Sequence, residues 1–184
     1  MANFIDSETT RKAFLGKQAH DLLQLSSAQV AVIYEARGLA IPVKVSSTLQ
    51  CLDRGGPMTL AELARQLDVT HQLAAQRVSK LISLRLLKRL EDPEDGRRSQ
   101  LVLTRAGNHQ AQLLAECISE IAEVYSDLYQ EIECDLPAKL AAAINALKHN
   151  SIGQRLATLR AERGLGEPAA PTFDIDEEDE PDDE

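Results

Sequence analysis

The strongest constraint on the fold of this chain is a pair of predicted helices separated by only a few residues. The Thr59 hydroxyl can accept from the amide of Glu62 while the Glu62 carboxylate reaches back, and this capping box begins a helix at Leu60. After a short step, Thr70 is placed to cap a longer helix that runs to about Leu84. A short helix, a tight turn and a longer helix form the helix-turn-helix pattern.

Two short apolar segments around a polar loop follow these helices. Residues 86–90 and 99–103 have the pattern of strands, and the loop between them contains proline, glycine and the adjacent Arg97 and Arg98. A hairpin directly after a helix-turn-helix predicts a winged helix. Its arginines are placed to reach the sugar-phosphate backbone or to enter a narrow minor groove of DNA.

The flanking segments predict a mainly α fold with a small β-hairpin wing. Residues 7–37 read as helix, and the capping-box spacing of Ser26 and Gln29 predicts a break near Leu25. A second short helix is predicted from Val43 to Leu52. The predicted parts are N-terminal helices for the dimer body and lead-in (1–56), a winged helix-turn-helix DNA-binding domain (57–107), C-terminal dimerisation helices (108–163) and a disordered acidic tail (164–184).

The charge of each segment is more informative about binding partners than the net charge of the whole chain. The total is -9, but residues 174–184 hold nine acids and no base, and the rest of the chain has 20 acidic and 20 basic residues. Residues 65–107 hold nine bases and five acids, a modest positive footprint for phosphate. The tail is either a solubilising extension or a competitor of DNA for the basic wings.

Composition excludes several classes of protein. The first twenty residues contain no apolar run of a secretory signal, and no later stretch is apolar enough to span a membrane, so we expect a cytoplasmic protein. The three cysteines and four histidines lack metal-ligand spacing, and no catalytic constellation can be identified. We therefore expect no enzyme activity, metal or cofactor. The cysteines read as idle thiols, with redox sensing disfavoured by the acidic surroundings of Cys117 and Cys134.

These segments resemble the MarR family of bacterial regulators, whose pattern is an LAxxL helix, a recognition helix, a DPxDxRxxxLxLTxxG wing and a long helix. About fifty residues carry the match, through the strings Leu63-Ala64-Arg65-Gln66-Leu67, Asp92-Pro93-Glu94-Asp95-Gly96-Arg97-Arg98 and Leu101-Val102-Leu103-Thr104-Arg105-Ala106-Gly107. The resemblance implies a triangular homodimer whose two winged lobes straddle a palindromic operator. It also implies that Asp95 orients Arg97 by an ion pair and that Arg97 enters the minor groove.

The chain departs from the family pattern at two positions. Family members often have arginine in the middle of the recognition helix, where this chain has Gln76. The glycine that usually closes that helix corresponds to Arg85. The first departure leaves base readout to a different hydrogen-bonding side chain, and the second allows the helix to end a residue or two away from the family position.

One face of the predicted recognition helix has the composition of a base-reading surface. Four residues recur away from the apolar stripe of Ala74, Val78, Leu81 and Ile82, and these are Gln72, Ala75, Gln76 and Ser79. Glutamine can pair with adenine through two hydrogen bonds, and an alanine methyl can contact a thymine methyl. The alternative is an ordinary solvated face. Predicted phosphate contacts are Thr70, His71, Arg77, Lys80, Lys88, Arg89 and Arg98, and His71 reads equally well as an exposed N-terminal residue.

The helix after the wing has a regular apolar seam. The seam residues follow a 4,3,4,3,4 spacing and are Leu114, Ile118, Ile121, Tyr125, Leu128 and Ile132. We interpret this seam as a homodimer interface, completed by apolar residues of the first helix, Phe14, Leu15, Leu22 and Leu23. The alternative is that the stripe packs only within its own subunit.

The favoured function is a sequence-specific DNA-binding transcription regulator, a ligand- or signal-responsive repressor by family resemblance. Family members bind small, often aromatic, molecules between dimer body and winged lobes, but three Phe, three Tyr and no Trp give little support for an aromatic pocket. The alternative is a winged-helix protein-interaction module without specific DNA binding. The polar recognition face and the wing arginines argue against this module, and the acidic tail argues for it.

Overall fold

The computed structural model describes residues 7–91 and 99–166. Within these ranges the chain is mainly helical, with one antiparallel hairpin. In chain order the elements are α1 (Glu8–Ala13), α2 (Leu15–Ala36), a 3-10 turn (Val43–Val45), α3 (Ser46–Gly55), α4 (Leu60–Gln66), α5 (His71–Ser83), β1 (Leu87–Glu91), β2 (Ser99–Leu103), α6 (Arg105–Glu131), α7 (Leu136–His149) and α8 (Ile152–Glu162). The predicted fold class, mainly α with a hairpin wing, is confirmed.

The chain divides into two compact units, Met1–Ser126 and Asp127–Glu184. The first unit has one hydrophobic core that draws on α2, the 3-10 turn, the helix-turn-helix, the hairpin and α6. Its buried members are Val30, Tyr34, Leu39, Ile41, Val45, Leu49, Leu52, Met58, Leu63, Val78, Leu81, Leu86, Leu87, Leu101, Ala111, Leu114 and Cys117. Because this core is shared, the helices on either side of the winged helix help to set its position.

Both helix starts of the helix-turn-helix are confirmed. The Thr59 hydroxyl accepts from the Glu62 amide at 3.3 Å, and the Glu62 carboxylate accepts from the Thr59 amide at 2.8 Å. Thr70 caps α5 by accepting from the amide of Leu73 at 3.2 Å. The turn between the helices is closed by Asp68, whose φ of 50° reverses the chain as a glycine would.

The predicted break near Leu25 is wrong. Helix α2 runs unbroken from Leu15 to Ala36, and the interruption lies at Phe14, which has the non-helical angles φ -100° and ψ 44°. The hydroxyl of Ser26 donates to the carbonyl of Leu23 in its own helix at 3.4 Å. A serine that bonds back within its helix does not cap a new one, so the capping-box spacing was misleading here.

The hairpin closely follows the predicted strands, with β1 starting at Leu87 instead of Leu86. Leu87 pairs with Leu103 and Glu91 with Ser99. Met58 adds a bridge that the sequence did not predict, because its amide and carbonyl exchange hydrogen bonds with Leu101 at 3.4 and 2.8 Å. The segment before α4 is therefore tied to the wing, which holds the hairpin against the helix-turn-helix.

Thr104 connects the end of α5 to the start of α6. Its hydroxyl donates to the carbonyl of Arg85 at 2.8 Å and accepts from the amide of Gly107 at 3.0 Å, so it caps α6. Its own amide donates to the carbonyl of Leu86 at 3.0 Å. One threonine thus fixes the long helix relative to the helix that precedes the wing.

Gln110 ties α6 to the turn after α2. This buried side chain donates to the carbonyl of Gly38 at 3.1 Å and accepts from the amide of Ala40 at 2.7 Å. Gly38 has a φ of 71°, the left-handed conformation that glycine adopts without strain. Both polar ends of the buried amide are satisfied, so the turn is held in one conformation.

The second unit contains the helical pair α7 and α8. Asp135 caps α7 by accepting from the Ala138 amide at 3.1 Å, and Ser151 and Gln154 form a capping box on α8. Neither helix has a buried residue. None of the helices in the described ranges is both long enough and apolar enough to cross a membrane. From residue 167 onward the predicted tail lies outside the described residues.

We predict that Gly107→Ala strongly destabilises the protein. A Cβ at this position would lie 2.0 Å from the carbonyl oxygen of Leu86, and backbone cannot move aside as a side chain can. We expect the free energy of unfolding, measured by urea denaturation, to fall by at least about 2 kcal/mol.

Gly153→Ala is the matched control for this prediction. Gly153 lies in α8, where the nearest atom to an added Cβ is the Ser151 hydroxyl at 3.9 Å. Alanine there should leave the free energy of unfolding unchanged or raise it by about 0.5–1 kcal/mol. Equal denaturation midpoints for Gly107→Ala and the wild type would contradict the account of this junction.

Candidate nucleic-acid interface

Helix α5 has one buried face, which fixes its rotation. Ala74, Val78 and Leu81 are fully buried against the rest of the first unit. At 3.6 residues per turn, these three residues form a single stripe along the helix. The side of α5 that points to solvent is therefore determined by the core and not by the polar residues themselves.

The predicted base-reading residues lie mostly opposite this stripe. Gln72, Gln76 and Ser79 are exposed, whereas Ala75 is half-buried at the edge of the face. Their positions on the helix place the two glutamines and the serine on the side directed away from the core. Three of the four predicted readout residues are thus accessible to a DNA groove. Ala75 is accessible only in part, because it lies at the edge of the exposed face.

Basic residues occupy one flank of the same helix. Arg77 is half-buried and Lys80 is exposed, and the Arg77 guanidinium donates to the Ser47 hydroxyl at 3.4 Å. Lys44 in the 3-10 turn lines the same cavity as these two residues. Sequence reasoning missed Lys44, because only the fold brings the 3-10 turn beside α5.

The other predicted phosphate contacts lie at the start of α5 and on the hairpin. Thr70 and His71 are exposed, and the Thr70 hydroxyl still has its own hydrogen to donate while it caps the helix. Lys88 and Arg89 are exposed neighbours on β1. Successive residues of a strand point to opposite faces, so these two side chains leave the hairpin on opposite sides.

The wing residues Asp95, Arg97 and Arg98 lie outside the described residues. Their predicted roles in the minor groove and on the phosphate backbone remain predictions. The described parts of β1 and β2 fix the register at the base of the loop, where Glu91 pairs with Ser99.

Arg85 closes α5 in the left-handed conformation that the family pattern assigns to glycine. Its φ is 59°, its amide donates to the carbonyl of Ile82 at 2.8 Å, and the amide of Leu86 donates to Leu81 at 3.0 Å. This pair of bonds is the Schellman motif, and Leu81 and Leu86 at its two ends both belong to the buried core. A left-handed backbone costs a residue with a Cβ roughly 1–2 kcal/mol. The helix end is nevertheless as sharp as glycine would make it.

The predicted dimer seam on α6 is buried to different degrees along its length. Leu114 is 0% exposed and belongs to the core of its own chain, so it does not lie on a free surface. Ile118, Ile121, Tyr125 and Leu128 are half-buried, and Ile132 is 45% exposed. The alternative of packing within the subunit therefore holds for the start of the seam. The apolar residues predicted to complete it from the first helical segment, Phe14, Leu15, Leu22 and Leu23, are exposed.

Two of the cysteines lie in settings that suppress thiolate formation. Burial raises the pKa of the Cys51 thiol, which donates to the Gln66 side chain at 3.1 Å. Burial also raises the pKa of Cys117, with a smaller lowering by Arg37 and a smaller raising by Glu120. Because the thiolate is the reactive form, these two residues favour the interpretation as idle thiols. Among the residues placed by the structure, no cluster of His, Cys, Asp and Glu is arranged to hold a metal ion.

A cavity of about 770 Å³ lies between α2, the 3-10 turn and α5. Its lining has no aromatic side chain and contains both apolar and polar groups, with two cations among them. The lining residues are Leu23, Gln24, Ser27, Ala28, Ala31, Pro42, Val43, Lys44, Ser46, Ser47 and Arg77. The volume lies in the range of cavities that hold small organic ligands.

Comparison with known proteins agrees with this geometry. The MarR family model matches residues 41–98, from the turn after α2 to the end of the wing loop. No curated protein matches the chain by sequence.

Three solved structures share the fold. The MepR protein of S. aureus, solved as a complex with DNA, superposes with a TM-score of 0.59 at 19% identity, covering 71% of this chain and 96% of that one. A MarR family transcription regulator gives 0.57 at 18% identity, covering 80% and 96%. The transcriptional regulator BldR of Sulfolobus solfataricus gives 0.52 at 17% identity, covering 78% and 99%. At these identities the likeness establishes the fold, and with the matched segment it confirms the predicted resemblance. Residues 41–98 of this chain are thus similar to the MarR family model, and the fold is that of solved MarR-type transcription regulators.

Proposed function

We propose that this chain is a sequence-specific DNA-binding transcription regulator that acts as a homodimer on a two-fold symmetric operator. The observation that carries the proposal is the outward polar face of α5, set opposite a fully buried stripe and flanked by basic residues. A helix of this kind fits the major groove, where each base pair presents its own pattern of donors and acceptors. The DNA complex of MepR, a protein with the same fold, supports the assignment.

Within this proposal, Gln72 and Gln76 read bases and the cations position the protein. A glutamine side chain donates and accepts, so it can bind both N6 and N7 of adenine. Thr70, His71, Arg77, Lys80, Lys88, Arg89 and Arg98 are proposed phosphate contacts, and Arg97, oriented by Asp95, is proposed to enter the minor groove. Phosphate contacts set register and affinity, whereas sequence discrimination depends on the glutamines. Repression is the regulatory direction that the family resemblance implies.

The homodimer proposal rests on apolar surface that a single chain leaves in water. Helices α7 and α8 have no buried residue, and six of their large apolar side chains are between 38% and 67% exposed, namely Leu140, Ile144, Leu147, Ile152, Leu156 and Leu159. Burial of apolar surface contributes about 25 cal/mol per Å². A second copy that covers this surface and the end of the seam, Leu128 and Ile132, would stabilise both protomers, and a two-fold axis matches a palindromic operator.

The cavity beside α2 supports a proposed effector site. Its apolar lining suits the body of a small molecule, and Lys44 and Arg77 at its wall favour a negatively charged group on that molecule. Because the lining lacks aromatic side chains, an aliphatic acid fits this chemistry better than a stacked ring system. Arg77 belongs to α5 and Lys44 lies beside it, so a bound molecule would act directly on the proposed DNA-binding helix.

The DNA-binding proposal predicts that Gln76→Ala weakens discrimination between sequences. Selection from a randomised duplex library with the full-length protein should yield a symmetric consensus. Fluorescence anisotropy should then show that Gln76→Ala loses about 1–3 kcal/mol of preference for that consensus over scrambled DNA. Gln112→Ala is the matched control, because Gln112 is an exposed glutamine on α6. If no consensus emerges and binding to all DNA is equally weak, the protein-interaction module replaces the proposal.

The dimer proposal predicts that Ile144→Glu produces monomers. Ile144 is 52% exposed in its own chain, so the change leaves the subunit fold intact while it places a carboxylate on the proposed interface. Analytical ultracentrifugation should show a dimer for the wild type and an association at least about tenfold weaker for the variant. Ala142→Glu adds the same charge on another side of α7. A monomeric wild type, or an Ile144→Glu variant that dimerises normally, would refute the interface.

The effector proposal predicts selective stabilisation by an apolar anion. Octanoate should raise the Tm of the protein more than octanamide does, because only octanoate offers a charge to Lys44 and Arg77. Ala31→Phe, which places a ring in the cavity, should abolish that difference. Equal shifts for octanoate and octanamide, or a shift that survives Ala31→Phe, would remove this cavity as the site.

A further inference from the structure

A second, smaller cavity of about 160 Å³ lies against the cationic flank of α5. Three of its six lining residues are basic and none is acidic, and the six are Lys44, Val45, Leu73, Gln76, Arg77 and Lys80. The cations come from two separate elements, since Lys44 belongs to the 3-10 turn and the other two to α5. A concave site lined by three positive groups favours an anion.

None of these three cations has an acidic partner within the described ranges. Ion pairs in these ranges, such as Lys17 with Asp21 and Arg37 with Glu120, involve other residues. Three like charges around one small cavity repel one another unless a negative group joins them. The three cations therefore form a positive site at α5 whose charge is not neutralised by an acidic residue of the described ranges.

Arg77 is the most firmly held of the three. It is half-buried, and its guanidinium donates to the hydroxyl of Ser47 at the start of α3. Holding the guanidinium before an anion arrives lowers the entropy lost on binding. Two long lysine side chains then complete the site from either side.

The location of the cavity identifies the anion. Gln76 lines this cavity and also belongs to the outward polar face of α5. An anion held here is therefore immediately beside a side chain that reads a base edge. In a DNA duplex the negative group next to a base edge is the backbone phosphate.

We propose that Lys44, Arg77 and Lys80 form a binding site for one DNA backbone phosphate in each half-site, and that Lys44 is a DNA contact. This inference rests on the proposed function. It adds a residue outside the helix-turn-helix itself and gives the 3-10 turn a part in docking. A phosphate contact of this kind fixes the register of α5 in the groove and carries no sequence information.

Lys44→Ala tests the site through the salt dependence of binding. Each phosphate contact that is lost lowers the slope of log K against log salt by about 0.9. We expect Lys44→Ala to weaken binding to consensus and scrambled DNA by the same factor, with the slope reduced by about 0.9 for each protomer bound. Lys44→Arg should restore both values. Lys44 is exposed, so the Tm of the variant should equal that of the wild type.

Lys17→Ala is the control, because Lys17 is an exposed lysine of α2 that pairs with Asp21. It should leave affinity and slope unchanged. If the wild type binds its consensus with a steep salt dependence and Lys44→Ala keeps the full slope, the phosphate site is refuted while the proposed function stands. If the wild type shows no specific, salt-dependent binding, the proposed function fails and this inference fails with it.

Discussion

Burial of Ala74, Val78 and Leu81 is the interaction on which the proposed DNA-binding surface depends. These three side chains are inaccessible to water, and the free energy of their burial holds α5 in one rotation. The glutamines are exposed because they lie on the remaining side of the helix. If these three side chains were no longer buried, α5 could rotate and expose a different set of side chains. The helix would then lose both its stability and its outward polar face.

The ends of α5 are fixed as firmly as its rotation. Thr70 caps the first turn, and the left-handed Arg85 ends the last one with two crossed backbone bonds. Thr104 then bonds to the Arg85 carbonyl, and Gly107 lets α6 pass so close to Leu86 that no Cβ would fit. The hydrophobic core, α5 and α6 therefore meet at one junction. A displacement of α6 would be transmitted to α5 through a few hydrogen bonds and one backbone contact.

Local signals in the sequence were enough to predict the helix-turn-helix and the hairpin. Thr59 and Thr70 each cap a helix by a hydrogen bond to a residue three positions later. Capping patterns and strand alternation can be recognised in the sequence over the same short range. The errors arose where a sequence pattern is compatible with two structures, or where an interaction depends on a residue far along the chain. Ser26 had cap spacing but bonds back into its own helix, and the strand bridge of Met58 depends on Leu101, far along the chain.

The candidate site shows the same division. The outward face of α5 follows from helical periodicity, so Gln72, Gln76 and Ser79 could be named in advance. Lys44 could not, because its role depends on a turn brought beside Arg77 by the fold. Leu114 fits the regular seam of α6, yet it is buried in the core of its own chain. Periodicity identifies the apolar side of a helix but not which chain covers it.

Lys44 and Arg77 line both the large cavity and the small one, so they connect the two proposed ligands. An anion in the large cavity and a DNA phosphate in the small one draw on the same two positive charges. We expect them to oppose each other, because each binding event lowers the charge that attracts the other. This coupling needs no large rearrangement of the winged helix.

The central claim is that the outward face of α5 reads base edges, and a change of specificity tests it most directly. Arginine pairs with guanine through O6 and N7, whereas glutamine pairs with adenine through N6 and N7. Selection with Gln76→Arg from a randomised duplex library should convert an A·T pair to a G·C pair at one symmetric position in each half-site of the wild-type consensus. An unchanged consensus for Gln76→Arg would show that this face of α5 does not read the bases.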